Sequence, residues 1–183
     1  MTKKQRSKEL IVMQQNMPTP ITDSQKCPSC RIQAARPEQY NELVTLWESS
    51  VRASHDFLLQ QDIDALRPLV RERYLPALCV HICCDATGSI TGFMGTQGDR
   101  LEMLFVAPLQ RGRGVGRALL RYAVQNLKVT SLDVNEQNAQ ACAFYQSMGF
   151  SVTGRSPLDG EGRPYPLLHM QLRQQATRPL VDL

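Results

Sequence analysis

The stretch from Leu101 to Ala123 constrains the fold more than any other part of the chain. Leu101 to Val106 is an apolar run of strand length, stopped by Pro108. Gln110-Arg111-Gly112-Arg113-Gly114-Val115-Gly116-Arg117 follows, and Val115, Ala118, Leu119, Tyr122 and Ala123 then form a helical apolar stripe. A strand therefore passes into a helix through a turn rich in glycine, where bare backbone N–H groups can approach a ligand closely. The helix dipole and the forked donors of Arg111, Arg113 and Arg117 favour an anion there, and a pyrophosphate suits all of these features together. Two familiar phosphate loops do not fit. A P-loop needs Lys-Ser or Lys-Thr after its glycines, and the dinucleotide fingerprint needs GxGxxG where Gly112, Gly114 and Gly116 make GxGxG.

The elements around this segment read as an α/β chain. Ile32 to Ala35 is a short strand, and Leu43, Leu46, Trp47 and Val51 mark the inner face of a first helix. A second helix is expected from Asp62 to Arg73, ended by Pro76. Leu78 to Cys84 and Ile90 to Thr96 make a hairpin around Asp85-Ala86-Thr87-Gly88, and Leu101 to Val106 is the third strand. Beyond the glycine turn and its helix come a strand at Val129 to Val134 and a helix at Asn138 to Met148 with Gly149 as its cap. Strands at Ser151 to Arg155 and Leu167 to Leu172 close the order. The expected sheet is mixed, mostly antiparallel, with helices on both faces. This is not the regular alternation of a doubly wound fold. Residues 1–30 read as a flexible extension broken by Pro18, Pro20 and Pro28, residues 31–173 as the domain, and 174–183 as a tail.

A chain of 183 residues can bury a core without staples. The basic start has no apolar run long enough for an export signal, and no stretch is long enough to span a membrane, so a cytoplasmic protein is expected. Its six cysteines then read as reduced thiols, with Cys79, Cys83, Cys84 and Cys142 packed as small hydrophobes. Cys27-Pro28-Ser29-Cys30 has the spacing of half a zinc site but lacks a second ligand pair, so no metal is expected. The net charge of +4 is dispersed, with no basic stripe for nucleic acid.

Leu104-Phe105-Val106-Ala107-Pro108 followed by Arg111-Gly112-Arg113-Gly114-Val115-Gly116 resembles the acetyl-CoA segment of the GNAT superfamily. Asn135-Glu136-Gln137-Asn138, Ala143-Phe144-Tyr145 and Met148-Gly149-Phe150 resemble that family's later block, at the family's separation. His55-Asp56-Phe57-Leu58, Thr153-Gly154-Arg155 and Pro164-Tyr165-Pro166 are similar to its small bacterial YjaB-type branch. The resemblance spans about 31–172 and leaves the first 30 residues without a counterpart.

The resemblance implies an N-acetyltransferase that moves an acetyl group from acetyl-CoA to a primary amine by direct attack. The pantetheine arm would pair with Leu104, Phe105 and Val106, and the pyrophosphate would sit on Arg111, Gly112, Arg113, Gly114, Val115, Gly116 and Arg117. Asn135 and Asn138 would contact the coenzyme, Tyr145 would protonate its departing sulfur, and Glu102 is the first choice as the base. His55, Phe57 and Tyr165 would shape the acceptor pocket, while His81 reads as structural. Cys142 has no basic partner to make it an acyl nucleophile. A small-molecule or peptide amine is the expected partner, without nucleic acid or membrane, for a monomer or homodimer. The alternative is an acyl-CoA-binding regulatory module without turnover.

Overall fold

A computed structural model describes residues 30–54 and 58–173, so the expected tail and all but the last residue of the expected extension lie outside the described residues. Seven strands form one mixed, mostly antiparallel sheet in the order β1-β2-β3-β4-β5-β7-β6. β1 (Arg31–Ala34), β2 (Cys79–Cys84), β3 (Ile90–Gln97) and β4 (Arg100–Val106) pair antiparallel in turn. β5 (Ser131–Asn135) lies parallel to β4. β7 (Leu167–Leu172) pairs antiparallel with both β5 and β6 (Phe150–Ser156), which leaves β6 at the edge.

The helices take the two faces according to their apolar stripes. α1 (Tyr40–Arg52) and α2 (Gln60–Leu69) cover one face, where Leu43, Trp47, Val51, Ile63 and Leu66 pack with Phe93, Met103 and Phe105. α4 (Val115–Asn126) and α5 (Ala139–Ser147) cover the other, where Leu119, Leu120, Phe144 and Tyr145 pack with Leu104, Val106, Leu132 and Val134. Each large side chain so buried contributes about 1.5–3 kcal/mol. Gly92 on β3 admits α4, since a Cβ there would stand 2.8 Å from the Phe105 carbonyl oxygen and 3.0 Å from Val115 Cγ1.

The second helix differs from the expected 62–73. It begins at Gln60, passes into a π turn at Val70–Tyr74, and continues through a short α3 (Leu75–Ala77) that contains Pro76. Leu75 N–H donates to Val70 O, five residues back, and Pro76 sits in the first turn of α3, directly after the π turn. The reading of six reduced thiols is also corrected. Cys30 and Cys83 form a disulfide, while Cys79, Cys84 and Cys142 are free, Cys79 being exposed rather than packed. The two partners lie 53 residues apart, and β1 pairing with β2 brings them together. Among the described residues no helix is long and apolar enough to cross a membrane.

Two irregularities position the site. On β4, Gly95 pairs with Met103 but Thr96 with Leu101, so Glu102 is an extra residue in a bulge. The bulge flips the alternation: Leu101 packs toward α4, whereas Met103 packs toward α1 and α2. β4 and β5 pair only at Arg100↔Ser131 and Leu101↔Leu132. Beyond that point the strands part, and β4 from Met103 to Val106 keeps its β3 partner while facing a wedge on the other side.

Candidate active site

The wedge runs into the glycine turn. After Val106, a short 3-10 turn at Pro108–Gln110 leads to Gly112 and Gly114, whose φ angles of 71° and 85° lie in the left-handed region where a side chain is strained. Gly114 is the N-cap of α4, without any capping side chain and without an acidic residue in the first turn. The N–H groups of the first helical turn have no acceptor within the helix, and the dipole places partial positive charge there. A Cβ added at Gly112 would meet nothing within 4 Å, so the backbone is open at this point. These features fit an anion delivered to the mouth of the wedge.

The three arginines of the turn divide. Arg113 is exposed and Arg117 half-buried, both within the first turn of the cradle. Arg111 turns inward instead: its guanidinium donates to Ser50 O at 2.9 Å and Ala53 O at 3.1 Å, at the C-terminal end of α1. Its buried Nε has no partner, and burial lowers its pKa from the usual arginine range. Arg111 thus ties the turn to α1.

Tyr145 stands at 0% exposure on α5, edge-on to Phe144 and Phe150 at ring distances of 5.1 and 6.2 Å. Its hydroxyl is buried with no hydrogen-bond partner. Burial raises its pKa well above that of an ordinary phenol, so it holds its proton at neutral pH. An orphaned donor in the cluster that lines the wedge fits a group on the ligand as its missing partner.

On the opposite face, a polar chain crosses four strands at the apex of the wedge. Arg100 Nε donates to Glu102 Oε1 at 3.2 Å, and its NH2 group donates to Asp133 Oδ2 at 2.7 Å. Asp133 Oδ1 lies 2.7 Å from His169 Nδ1, and His169 Nε2 lies 2.8 Å from Ser156 Oγ. Glu102 and Asp133 are buried, at 3% and 6% exposure. Tyr165 closes the same side by donating to Asp62 Oδ2 on α2 at 2.6 Å, and Tyr74 donates to Glu161 Oε1 at 3.2 Å. The loop that carries Tyr165 is folded around buried Asp159, whose Oδ1 accepts from the N–H groups of Glu161 and Arg163.

A profile of the family described as Acetyltransferase (GNAT) domain matches residues 72–173. The chain is a GNAT acetyltransferase. It is 42% identical to the peptidyl-lysine N-acetyltransferase YjaB of Escherichia coli K12 over 139 residues, which cover 76% of this chain and 94% of that protein. It is 32% identical to the peptidyl-lysine N-acetyltransferase YiaC of the same organism, over 66% of this chain and 83% of that one. The solution structure of apo YjaB from Escherichia coli superimposes with a TM-score of 0.72 at 41% identity, over 78% of this chain and 96% of that chain. The YjaB-type resemblance and the fold expected from the sequence both stand, and the chain is an enzyme of the N-acetyltransferase class.

In this GNAT chain the other expected site residues fall as follows. Leu104, Phe105 and Val106 form the β4 flank of the wedge, and Gly112 to Arg117 form the cradle. Asn138 caps α5, its Oδ1 accepting from Ala141 N–H at 3.0 Å, and Asn135 Oδ1 accepts from Gln137 N–H at 2.8 Å. Both amide oxygens therefore shape the turn that leads into α5. His81 packs beneath α4 against Tyr122, at 5.3 Å between rings, away from the polar chain. His55 and Phe57 lie outside the described residues. Sequence reasoning missed Arg100, Asp133, His169 and Ser156. Asp133 and His169 fell inside expected strands and Arg100 and Ser156 just outside them, and the proximity of the four depends on β7 lying between β5 and β6.

Proposed function

We infer that the chain transfers the acetyl group of acetyl-CoA to the side-chain amine of a lysine in a peptide or protein. The observation that carries this reading is the unshared flank of β4 running straight into the N–H cradle of Gly112 to Gly116. In this reading, Leu104 to Val106 pair with the pantetheine amides as an added strand would, and a backbone N–H of that flank holds the carbonyl oxygen as it gains charge. The cradle and the side chains of Arg113 and Arg117 hold the pyrophosphate, with Arg111 fixing the turn from behind. Tyr145 gives its proton to the sulfur as the C–S bond breaks, and the amine attacks directly without an acyl-enzyme. The peptidyl-lysine acceptor is supported by the names of YjaB and YiaC.

Calorimetry with acetyl-CoA, using NADH and ATP as controls, tests the coenzyme site in wild type and in an Arg113→Glu, Gly114→Asp variant. Selective binding lost in the variant is the expected result. An acetylated lysine peptide, detected by mass spectrometry, completes the test. Binding without transfer to any amine makes the chain a regulatory module, and absence of binding removes the coenzyme reading.

A further inference from the structure

We propose that His169 is the group that takes the proton from the acceptor amine, through Ser156, an inference that rests on the amine-acceptor reading above. Asp133 Oδ1 and Ser156 Oγ flank its ring at 2.7 and 2.8 Å. With its hydrogen on Nδ1, toward the Asp133 carboxylate, the neutral ring has its lone pair on Nε2. The Ser156 hydroxyl fills that lone pair as a donor in the resting state. A base with one nitrogen held by a carboxylate is the arrangement that fixes tautomer and orientation for proton transfer. Arg100 holds the other Asp133 oxygen and prevents the carboxylate from swinging away.

The position suits the role. Asp133 is the first β5 residue beyond the last β4–β5 pair, and His169 is its register partner on β7, one strand spacing of about 5 Å farther out. The His169 side chain is 34% exposed, whereas that of Asp133 is only 8% exposed. Gly154 on β6 leaves room for the ring, since a Cβ there would stand 3.2 Å from His169 Cδ2. Among the described residues, the charged groups facing His169 are Asp133 on β5 and Arg100 with Glu102 on β4.

The step is a proton transfer followed by acyl transfer. The Ser156 hydroxyl gives its proton to Nε2 as its oxygen takes one from the acceptor ammonium, and the freed amine lone pair forms the C–N bond as the C–S bond breaks. Ser156 turns from donor to acceptor and holds the new Nε2–H, so the proton does not return. The second excess proton on nitrogen leaves to solvent as the amide forms, Tyr145, having protonated the sulfur, regains its proton from solvent, and His169 releases its proton to solvent before the next turnover.

The test uses the full chain with an N-terminally blocked lysine tripeptide, comparing wild type, His169→Gln and His169→Ala. The proposal expects kcat/KM to fall by about 100-fold in His169→Gln, with acetyl-CoA affinity by calorimetry within about threefold of wild type. It also expects the acidic limb of the wild-type pH profile to disappear and added imidazole to restore turnover in His169→Ala. NMR of the wild-type histidine rings gives a readout that does not depend on turnover or on any variant folding, and the His169 signals should move when the tripeptide is added without acetyl-CoA. His169→Gln with wild-type kcat/KM and pH profile overturns the proposal, as do His169 signals that ignore a peptide the enzyme acetylates, or an acetyl group found on Ser156. A wild type that binds acetyl-CoA but acetylates no amine defeats the amine-acceptor reading itself and this inference with it.

Discussion

Tyr145 carries a buried hydroxyl without a partner, which costs the fold about 1–3 kcal/mol that a phenylalanine would not lose. Tyr145→Phe should therefore melt at or above the wild-type temperature, bind acetyl-CoA within about threefold of wild type, and lose on the order of 100-fold in kcat. A thermal melt alongside initial rates checks this, and a variant that is both less stable and fully active would make Tyr145 an ordinary core residue. His81 shows the opposite case, a titratable group whose burial serves packing. Burial lowers its pKa below the ordinary value of 6.5, outweighing the hydrogen bond near Cys79 that raises it. The folded state thus binds the proton more weakly than the unfolded state, so the stability His81 contributes is present above about pH 6.5 and is lost as pH falls through its folded pKa. Melting temperatures taken from pH 7.5 to 5 should fall less steeply in His81→Phe than in wild type. Arg111 marks the limit of reading single residues from sequence. Its place in the glycine turn announces an anion, and only the fold shows its guanidinium on the carbonyls of Ser50 and Ala53.

At the scale of elements, the glycine turn was legible because its chemistry is local: the strand, the bare backbone and the helix are contiguous in sequence, and φ angles above 70° at Gly112 and Gly114 leave little alternative to glycine. The hairpin at Asp85 was legible for the same reason, its carboxylate accepting from the N–H groups of Thr87 and Ser89. The π turn at Val70–Tyr74 was not, because a five-residue hydrogen-bond step leaves no mark on a helical apolar pattern that continues through it. The polar chain was illegible for a different reason. Asp133 and His169 each look like one polar residue in a strand, Arg100 and Ser156 like residues of a connection, and strand order, which composition does not encode, makes them neighbours. Gly92 connects both lessons, since nothing around it in sequence calls for glycine, yet α4 lies against it. Gly92→Ala would press a methyl within 2.8 Å of the Phe105 carbonyl and should cost about 1–3 kcal/mol by chemical denaturation. Because Phe105 borders the wedge, acetyl-CoA affinity should weaken as well, and a variant with unchanged affinity would show that the displaced segment is α4 rather than β4.

The molecule as a whole is a sheet of two units, β1 to β4 and β5-β7-β6, meeting at a narrow seam. Two residue pairs join them, together with the N–H groups of Thr130 and Ser131 that donate to Asp99 O and the bridge from Arg100 to Asp133. The cluster under α4 and α5 spans both units, with Leu104 on one side and Leu132, Val134 and Met170 on the other. A fold that needs an open wedge for its ligand cannot zip these strands further, so the seam relies on that cluster and on the ion pairs at the apex. Arg100→Met keeps the aliphatic volume but takes the guanidinium from Glu102 and Asp133, and should cost about 3 kcal/mol, since two buried carboxylates lose the cation they share. Acetyl-CoA, bound across both sides of the wedge, should offset most of this loss: at 100 times its Kd it adds about 2.7 kcal/mol to either protein. In a chain of 183 residues that corresponds to a rise in Tm of about 5–10 °C. Melts of wild type and Arg100→Met with and without acetyl-CoA separate the contributions. If the variant melts with the wild type, the apolar cluster alone holds the seam; if acetyl-CoA raises neither, the wedge is not where the coenzyme binds.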